Sequence, residues 1–198
     1  MTSEGTGVLP TGLFRRAVDR FGGLVHAVGA DQWHGPTPCA DWDVRTLVNH
    51  VAVEQLWVPP LMQGRTVAEV GRRLDGDQLA DDPGATWDTV VGAAVAEFAA
   101  PDAGGATVAV SSGPKPAAEY CWEMTTDALI HSWDLAAGIG ADQTLDAELV
   151  EVVFERTVPI ADELQKTGLF APPVATRPGA DLQTRLLALF GRDAVQWS

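Results

Sequence analysis

Apolar residues recur at the spacing of an α-helix along most of this chain, and prolines and glycines separate the helical segments. Between Leu13 and Val28 they fall three or four positions apart, with charged residues between them. The same spacing predicts further helices over residues 44–58, 87–99, 117–137, 146–164 and 182–190. Such helices bury their apolar faces by packing against one another, so we expect an all-α bundle of four principal helices.

Shorter features complete the expected fold. Asp43 is suited to cap the second helix, and the Pro59-Pro60 pair is expected to end it. Pro159 is expected to bend or split the helix in which it lies. We expect a short helical piece around 67–74, a short strand or extended loop over 107–110, and a break at the sequence GPKP that follows it. A short helical tail closes what we interpret as a single domain of all 198 residues.

The charge of the chain limits its partners. It has 27 Asp and Glu against 13 Lys and Arg, a formal net charge of -14. Nucleic-acid binding needs a basic face, and an anionic membrane surface repels an acidic protein, so we exclude both partners. The N-terminus lacks the pattern of a signal peptide, and we expect a cytoplasmic protein. Cys39 and Cys121 are expected to be free thiols with structural roles.

The sequence DALIH places a carboxylate and an imidazole on one helix face. Asp127 and His131 are four positions apart, about 6 Å along the helix axis. His50 lies among apolar residues of the second predicted helix. Together they would form a His/His/carboxylate set, which suits zinc or another divalent metal and leaves a position open for water or substrate. The alternative is an Asp127–His131 ion pair and a core histidine at position 50.

Other polar and aromatic residues flank these three. Glu54, one turn after His50, can supply a further ligand or a general base, although a solvated helix face is the simpler interpretation. Asp134 can hydrogen-bond the ring N–H of a ligating His131, or be an ordinary charge near the helix end. Several tryptophans can line an apolar pocket or fill the bundle core: Trp42, Trp57, Trp122 and Trp133.

Two longer motifs resemble a known family. The sequences PTPCADWDVRTLVNH at 36–50 and TTDALIHSWDLA at 125–136 are similar to the two signatures of the actinobacterial branch of the DinB-like proteins. This branch includes the mycothiol-dependent maleylpyruvate isomerase N-terminal domain. The resemblance implies a four-helix bundle with a divalent metal held by three side chains. It places His50 and His131 at the histidine positions and Asp127 at the carboxylate position, where the isomerase pattern has Glu.

The resemblance also implies a class of function. Members of the wider superfamily use their metal to activate a low-molecular-weight thiol. The resemblance therefore implies a metal-dependent enzyme. Such an enzyme would activate a mycothiol-type thiol or water to transfer, isomerise or hydrolyse a small-molecule substrate. Zinc is the expected metal, with nickel and iron as alternatives, and a homodimer is the expected assembly. Two other functions stay open: a non-catalytic small-molecule-binding or stress-related bundle, and a metal-dependent biosynthetic enzyme that uses no thiol.

Overall fold

Helices make up most of the computed structural model, which describes residues 9–168 and 170–197. In chain order the α-helices are α1 (Thr11–Ala27), α2 (Val44–Met62), α3 (Val67–Val70), α4 (Pro83–Phe98), α5 (Ala117–Ile139), α6 (Ala147–Thr157), α7 (Ala161–Lys166) and α8 (Leu182–Leu189). Strands β1 (Thr107–Val110) and β2 (Gly113–Pro116) lie between α4 and α5. The prediction of an all-α helical bundle is therefore confirmed. Within the described ranges, no helix is long and apolar enough to cross a membrane.

Four long helices enclose the core. Helix α1 packs against α4 and α5, and α2 packs against the same two helices, while α6 and α8 pack on each other beside them. The largest side chains buried between the helices are aromatic: Phe14, Phe21, Trp87, Phe98, Trp133 and Phe190. The apolar face that the helical spacing predicts on each long helix is the face that is buried, which is why the bundle could be expected from the sequence.

Aspartates cap the N-termini of α2, α4, α6 and α8. The carboxylate of Asp43 accepts a hydrogen bond of 2.8 Å from the backbone N–H of Thr46 at the start of α2, as predicted. Asp82 caps α4 in the same way and is followed by Pro83 in the first turn, so this helix begins earlier than predicted. Pro159 splits the predicted helix over 146–164 into α6, a 3₁₀ turn and α7, as expected.

The prediction that Pro59-Pro60 ends the second helix is wrong. Helix α2 continues through both prolines to Met62. Each proline lacks its own N–H group, but its carbonyl group still accepts a hydrogen bond. The N–H of Gln63 donates to the carbonyl of Pro59, and the N–H of Arg65 donates to that of Pro60. Proline near the end of a helix therefore removes donors without stopping the last turn.

The prediction that residues 113–116 break the extended segment is also wrong. These residues form β2, which pairs antiparallel with β1 from Thr107 opposite Pro116 to Val110 opposite Gly113. Both strands of a two-stranded sheet are edge strands, and an edge strand tolerates proline where no N–H is needed for pairing. Gly113 adopts a φ of 115°, a left-handed conformation that favours glycine and allows the tight reversal.

The contact between α1 and α4 leads to a testable prediction about stability. A Cβ atom at Gly22 would lie 2.5 Å from Nε1 of the buried Trp87, whose ring packs on Phe21. We expect Gly22→Ala to lower the free energy of unfolding by about 1–3 kcal/mol, because the packed ring has to move. The matched control is Gly23→Ala, at an exposed position with nothing within 4 Å of the added atom. It should stabilise the helix by about 0.5–1 kcal/mol. Urea denaturation measures both, and equal stabilisation by the two variants would contradict the close packing.

Candidate metal centre

Helices α2 and α5 bring His50, Asp127 and His131 together. Oδ1 of Asp127 lies 3.5 Å from Nε2 of His50 and 3.4 Å from Nε2 of His131. The two imidazole rings meet edge to face, with centroids 5.1 Å apart. One ligand atom from each of the three residues lies within 4.8 Å of the other two. The three residues that the sequence singles out as metal ligands thus converge on one point between the helices.

The donor set fits a divalent metal ion. Ligand atoms about 2.0–2.1 Å from a tetrahedral zinc ion are separated by roughly 3.3 Å, which matches these two distances. A charge-assisted hydrogen bond between the same groups would be shorter, about 2.7–2.9 Å. The second carboxylate oxygen, Oδ2 of Asp127, is buried and has no hydrogen-bond partner among the described residues. Such an oxygen is costly to bury unless a cation compensates it. Two imidazoles and one carboxylate are suitable donors for that cation.

Exposure is graded across the three side chains. The side chain of His131 is 7% exposed, that of Asp127 18% and that of His50 30%. Asp127 and His131 share one face of α5 because they are four residues apart, and this face turns into the bundle. The side of His50 is therefore the side of the centre most open to solvent.

The pKa values of the side chains at the centre depend on one another. Burial alone would raise the pKa of Asp127, but the nearby imidazoles of His131 and His50 outweigh burial and hold this pKa well below its usual range. Burial alone would lower the pKa of His131, yet Asp127 and the hydrogen bonds of Asp134 and Cys39 raise it well above its usual range. The centre thus keeps a carboxylate ionised beside two imidazoles.

Behind His131, the buried Asp134 forms a second layer of contacts. Its Oδ2 atom accepts a hydrogen bond of 2.9 Å from Nδ1 of His131, as the sequence predicts for a residue that orients a ligating histidine. Arg192 donates to both oxygens of Asp134, at 2.7 and 3.2 Å, and the Cys39 thiol lies 3.3 Å from Oδ2. Burial would raise the pKa of Asp134, but the bonds from His131 and the charge of Arg192 lower it.

A second group of donor atoms competes for the metal on geometry alone. Sγ of Cys39, Nδ1 of His131 and Oδ2 of Asp134 also lie within 4.8 Å of one another. However, Nη2 of Arg192 is 3.3 Å from Sγ of Cys39 and 2.7 Å from Oδ2 of Asp134. This guanidinium places a positive charge against the same atoms and repels a second cation. The geometry therefore favours the group of His50, Asp127 and His131 as the metal centre.

Two of the flanking residues that the sequence suggests lie close to this centre. The ring of Trp42 packs against both histidines, with centroids 4.6 Å from His50 and 5.8 Å from His131. Glu54 is half-buried on the face of α2 that carries His50, rather than fully solvated. Burial, and then the charge of Asp127, raise its pKa to about 7. These two side chains form part of the wall around the donor atoms.

The other tryptophans lie elsewhere. Trp133 is buried in the core, and it follows His131 by two positions, which turns it about 200° around α5, away from the ligand face. Trp57 is partly buried against the core, about 10 Å along α2 from His50. The ring of Trp122 packs under the guanidinium of Arg156. Within residues 9–168 and 170–197, no ring contact joins these three tryptophans to the histidines.

No motif or spacing gives Arg192 a role in the site, and Cys39 is expected only to be a structural thiol. The contact between Arg192 and Asp134 joins residues 58 positions apart in the chain. No local spacing predicts a contact over such a distance. One signal that could have pointed to Arg192 is the glycine before it, since Gly191 ends α8 and fixes where the next side chain goes.

Comparison with known proteins identifies the family of this chain. The family model of the mycothiol maleylpyruvate isomerase N-terminal domain matches residues 14–136, a range that contains all three proposed ligands and Asp134. Two similar proteins are uncharacterized proteins of Mycobacterium tuberculosis, one from strain CDC 1551 / Oshkosh and one from strain ATCC 25618 / H37Rv. Each is 36% identical over 188 residues, which cover 90% of this chain and 94% of the relative. No solved structure matches the chain significantly. The chain therefore belongs to the mycothiol maleylpyruvate isomerase N-terminal domain family, within the DinB-like superfamily.

Proposed function

We propose that this protein binds one divalent metal ion through His50, Asp127 and His131 and uses it to activate a low-molecular-weight thiol, of the mycothiol type, toward a small-molecule substrate. The observation that carries the proposal is the position of Oδ1 of Asp127, 3.4 and 3.5 Å from the two Nε2 atoms. Zinc is the metal we propose, because two imidazoles and a carboxylate with an open position are typical of catalytic zinc. The family to which the chain belongs supports the thiol.

The charge of the donor set favours an anionic partner in the open position. When they bind a metal, the two imidazoles are neutral and the carboxylate carries one negative charge, so a divalent ion among them keeps one positive charge. A bound ion of this kind lowers the pKa of a thiol or of water and so supplies the nucleophile at neutral pH. Glu54, half-buried one turn after His50 on α2, is suited to accept the proton that is released.

The surroundings of the donor atoms suit a small substrate. The face of Trp42 shields the two histidines from water on one side, and access remains from the side of His50. The hydroxyl of Tyr120 on α5 is buried and has no hydrogen-bond partner among the described residues. Tyr120 shares the α5 face of Asp127, two turns away. Such a group can recognise the polar atoms of a substrate.

Cobalt substitution tests the role of the thiol directly. Cobalt-loaded protein is titrated with mycothiol and with N-acetylcysteine, while its absorption spectrum is recorded. We expect a sulfur-to-cobalt charge-transfer band that grows with thiol concentration and saturates, because the thiolate enters the open position. The matched control ligand is N-acetylserine, which has a hydroxyl in place of the thiol and should give no such band.

The outcomes of this titration separate the rival functions. Metal-loaded protein that shows no band with either thiol contradicts thiol activation and favours water activation, or a biosynthetic reaction that uses no thiol. Protein that takes up neither cobalt nor zinc favours the non-catalytic small-molecule-binding bundle, in which Asp127 simply pairs with the two histidines.

A further inference from the structure

Arg192 contacts Asp134, the residue behind His131 in the candidate metal centre. Arg192 lies in a part of the chain that the family match does not cover. The match ends at residue 136. Nη2 of Arg192 donates to Oδ2 of Asp134 at 2.7 Å, and Nε donates to Oδ1 at 3.2 Å. Asp134 in turn accepts the hydrogen bond from Nδ1 of His131. The contacts of Arg192 with the site thus run through Asp134 and Cys39, one residue away from a proposed ligand.

The backbone at the end of α8 directs this guanidinium. The N–H of Arg192 donates to the carbonyl of Leu187 at 3.0 Å, and the N–H of Gly191 donates to that of Ala188 at 3.1 Å. These two bonds form a Schellman motif, which needs a left-handed residue, and Gly191 has a φ of 79°. Nη1 of Arg192 also donates to the carbonyl of Phe190 at 2.7 Å. The direction of the side chain is therefore set by its own helix end.

The two hydrogen bonds from Arg192 restrict the orientation of the Asp134 carboxylate. Asp134 is 0% exposed, so its carboxylate depends on its neighbours for compensation. The planar guanidinium contacts both of its oxygens, and a two-point contact of this kind fixes the plane of a carboxylate, which a single charge cannot do. With that plane fixed, Oδ2 is held opposite Nδ1 of His131. The other ring nitrogen, Nε2, then remains directed at Asp127.

We propose that Arg192 is a positioning residue of the metal centre, which holds Asp134 against Nδ1 of His131 so that Nε2 faces the metal. The C-terminal end of the chain thereby completes a site whose ligands all lie within the family match. This inference rests on the proposed metal-binding function, and on geometry that is independent of the metal's identity.

The test compares zinc binding by the whole protein and its variants. Isothermal titration with zinc is run on wild type, Arg192→Met and Arg192→Lys, and the fold of each is checked by circular dichroism. We expect Arg192→Met to weaken zinc binding by about 10–100-fold, as loss of a residue that orients a ligating histidine does. Arg192→Lys should recover only part of this loss, because lysine restores the charge but not the two-point contact.

A matched control and a second readout distinguish positioning from a structural role. Arg185→Met removes an arginine within α8 that stacks on Phe154, and it should leave zinc affinity unchanged. In zinc-loaded wild type, nuclear magnetic resonance should show a slowly exchanging Nδ1 proton on His131, which Arg192→Met should lose.

Each outcome bears on the proposal. Arg192→Met with wild-type zinc affinity overturns it, and so does a loss of affinity in which the Nδ1 proton persists unchanged. If Arg192→Met does not fold, Arg192→Lys decides, and wild-type affinity and exchange in that variant would overturn the two-point contact. If the wild-type protein binds no zinc, both the proposed function and this inference are overturned. If the wild type binds zinc and the variants bind it equally well, only this inference is overturned.

Discussion

Replacing His131 by alanine is expected to leave the protein without metal while the bundle stays folded. His131 supplies the most buried of the three donors, and its Nε2 atom is the one held by the contact with Asp134. With only His50 and Asp127 left, we expect the affinity for zinc to fall by more than about 100-fold, because loss of a residue that merely orients a ligand already costs 10–100-fold. Elemental analysis of protein purified from zinc-supplemented culture measures the loss.

Two other histidine variants accompany His131→Ala: one is a control, and the other removes a second proposed ligand. His26→Ala changes an exposed residue of α1 that pairs with Asp88 at 3.0 Å, and this variant should keep its metal. His50→Ala removes a proposed ligand whose side chain is 30% exposed, so it disturbs packing less than His131→Ala and should still lose the metal. A folded His131→Ala variant that retains wild-type metal content would show that His131 is not a ligand.

The exchange Asp127→Asn is expected to weaken zinc binding by about 100-fold without loss of the fold. The two side chains have almost the same shape, but asparagine brings no negative charge between the two imidazoles. In the wild type, Oδ1 lies within 3.5 Å of both Nε2 atoms, and Oδ2 is buried without a hydrogen-bond partner among the described residues. The negative charge at this position compensates the cation, and this compensation is what the variant removes. Calorimetric titration with zinc gives the change in affinity.

Asp127→Glu is the matched variant, because it keeps the charge and adds one methylene group. The resemblance to the isomerase places Glu at this position, so we expect this variant to bind zinc within about 10-fold of wild type, a loss at the small end of the range for disturbed metal sites. If Asp127→Asn binds zinc as well as wild type does, Asp127 only pairs with the histidines. If Asp127→Glu loses as much affinity as Asp127→Asn, the size of the side chain matters as much as its charge.

Local patterns in the sequence account for much of the fold. Helical spacing of apolar residues marks the buried faces of α1, α2, α4 and α5, and Asp43 caps α2 where its position suggests. The errors fall at prolines. Pro59 and Pro60 continue a helix, and Pro114 and Pro116 lie in a strand. Proline excludes one hydrogen-bond donor, and whether that donor is needed depends on neighbours that are distant in sequence.

In the candidate site, too, some residues are predictable from local patterns in the sequence and others are not. Asp127, His131 and Asp134 lie on one helix at spacings that place them side by side, so their relation is readable from the sequence. His50 is placed with them by its similarity to a family signature, since no local pattern joins it to α5. Arg192 becomes visible only when the packing of α8 and the segment after it is known. Contacts of this kind depend on the tertiary structure, and no regular spacing in the sequence indicates them.

Metal content is the most direct test of the central claim that His50, Asp127 and His131 form a metal centre. The whole wild-type protein is purified without chelators from medium supplemented with zinc or nickel, and its metal is measured by elemental analysis against protein concentration. The arrangement of donor atoms predicts about one divalent ion per chain. Folded wild-type protein that contains no metal after such growth would contradict the claim.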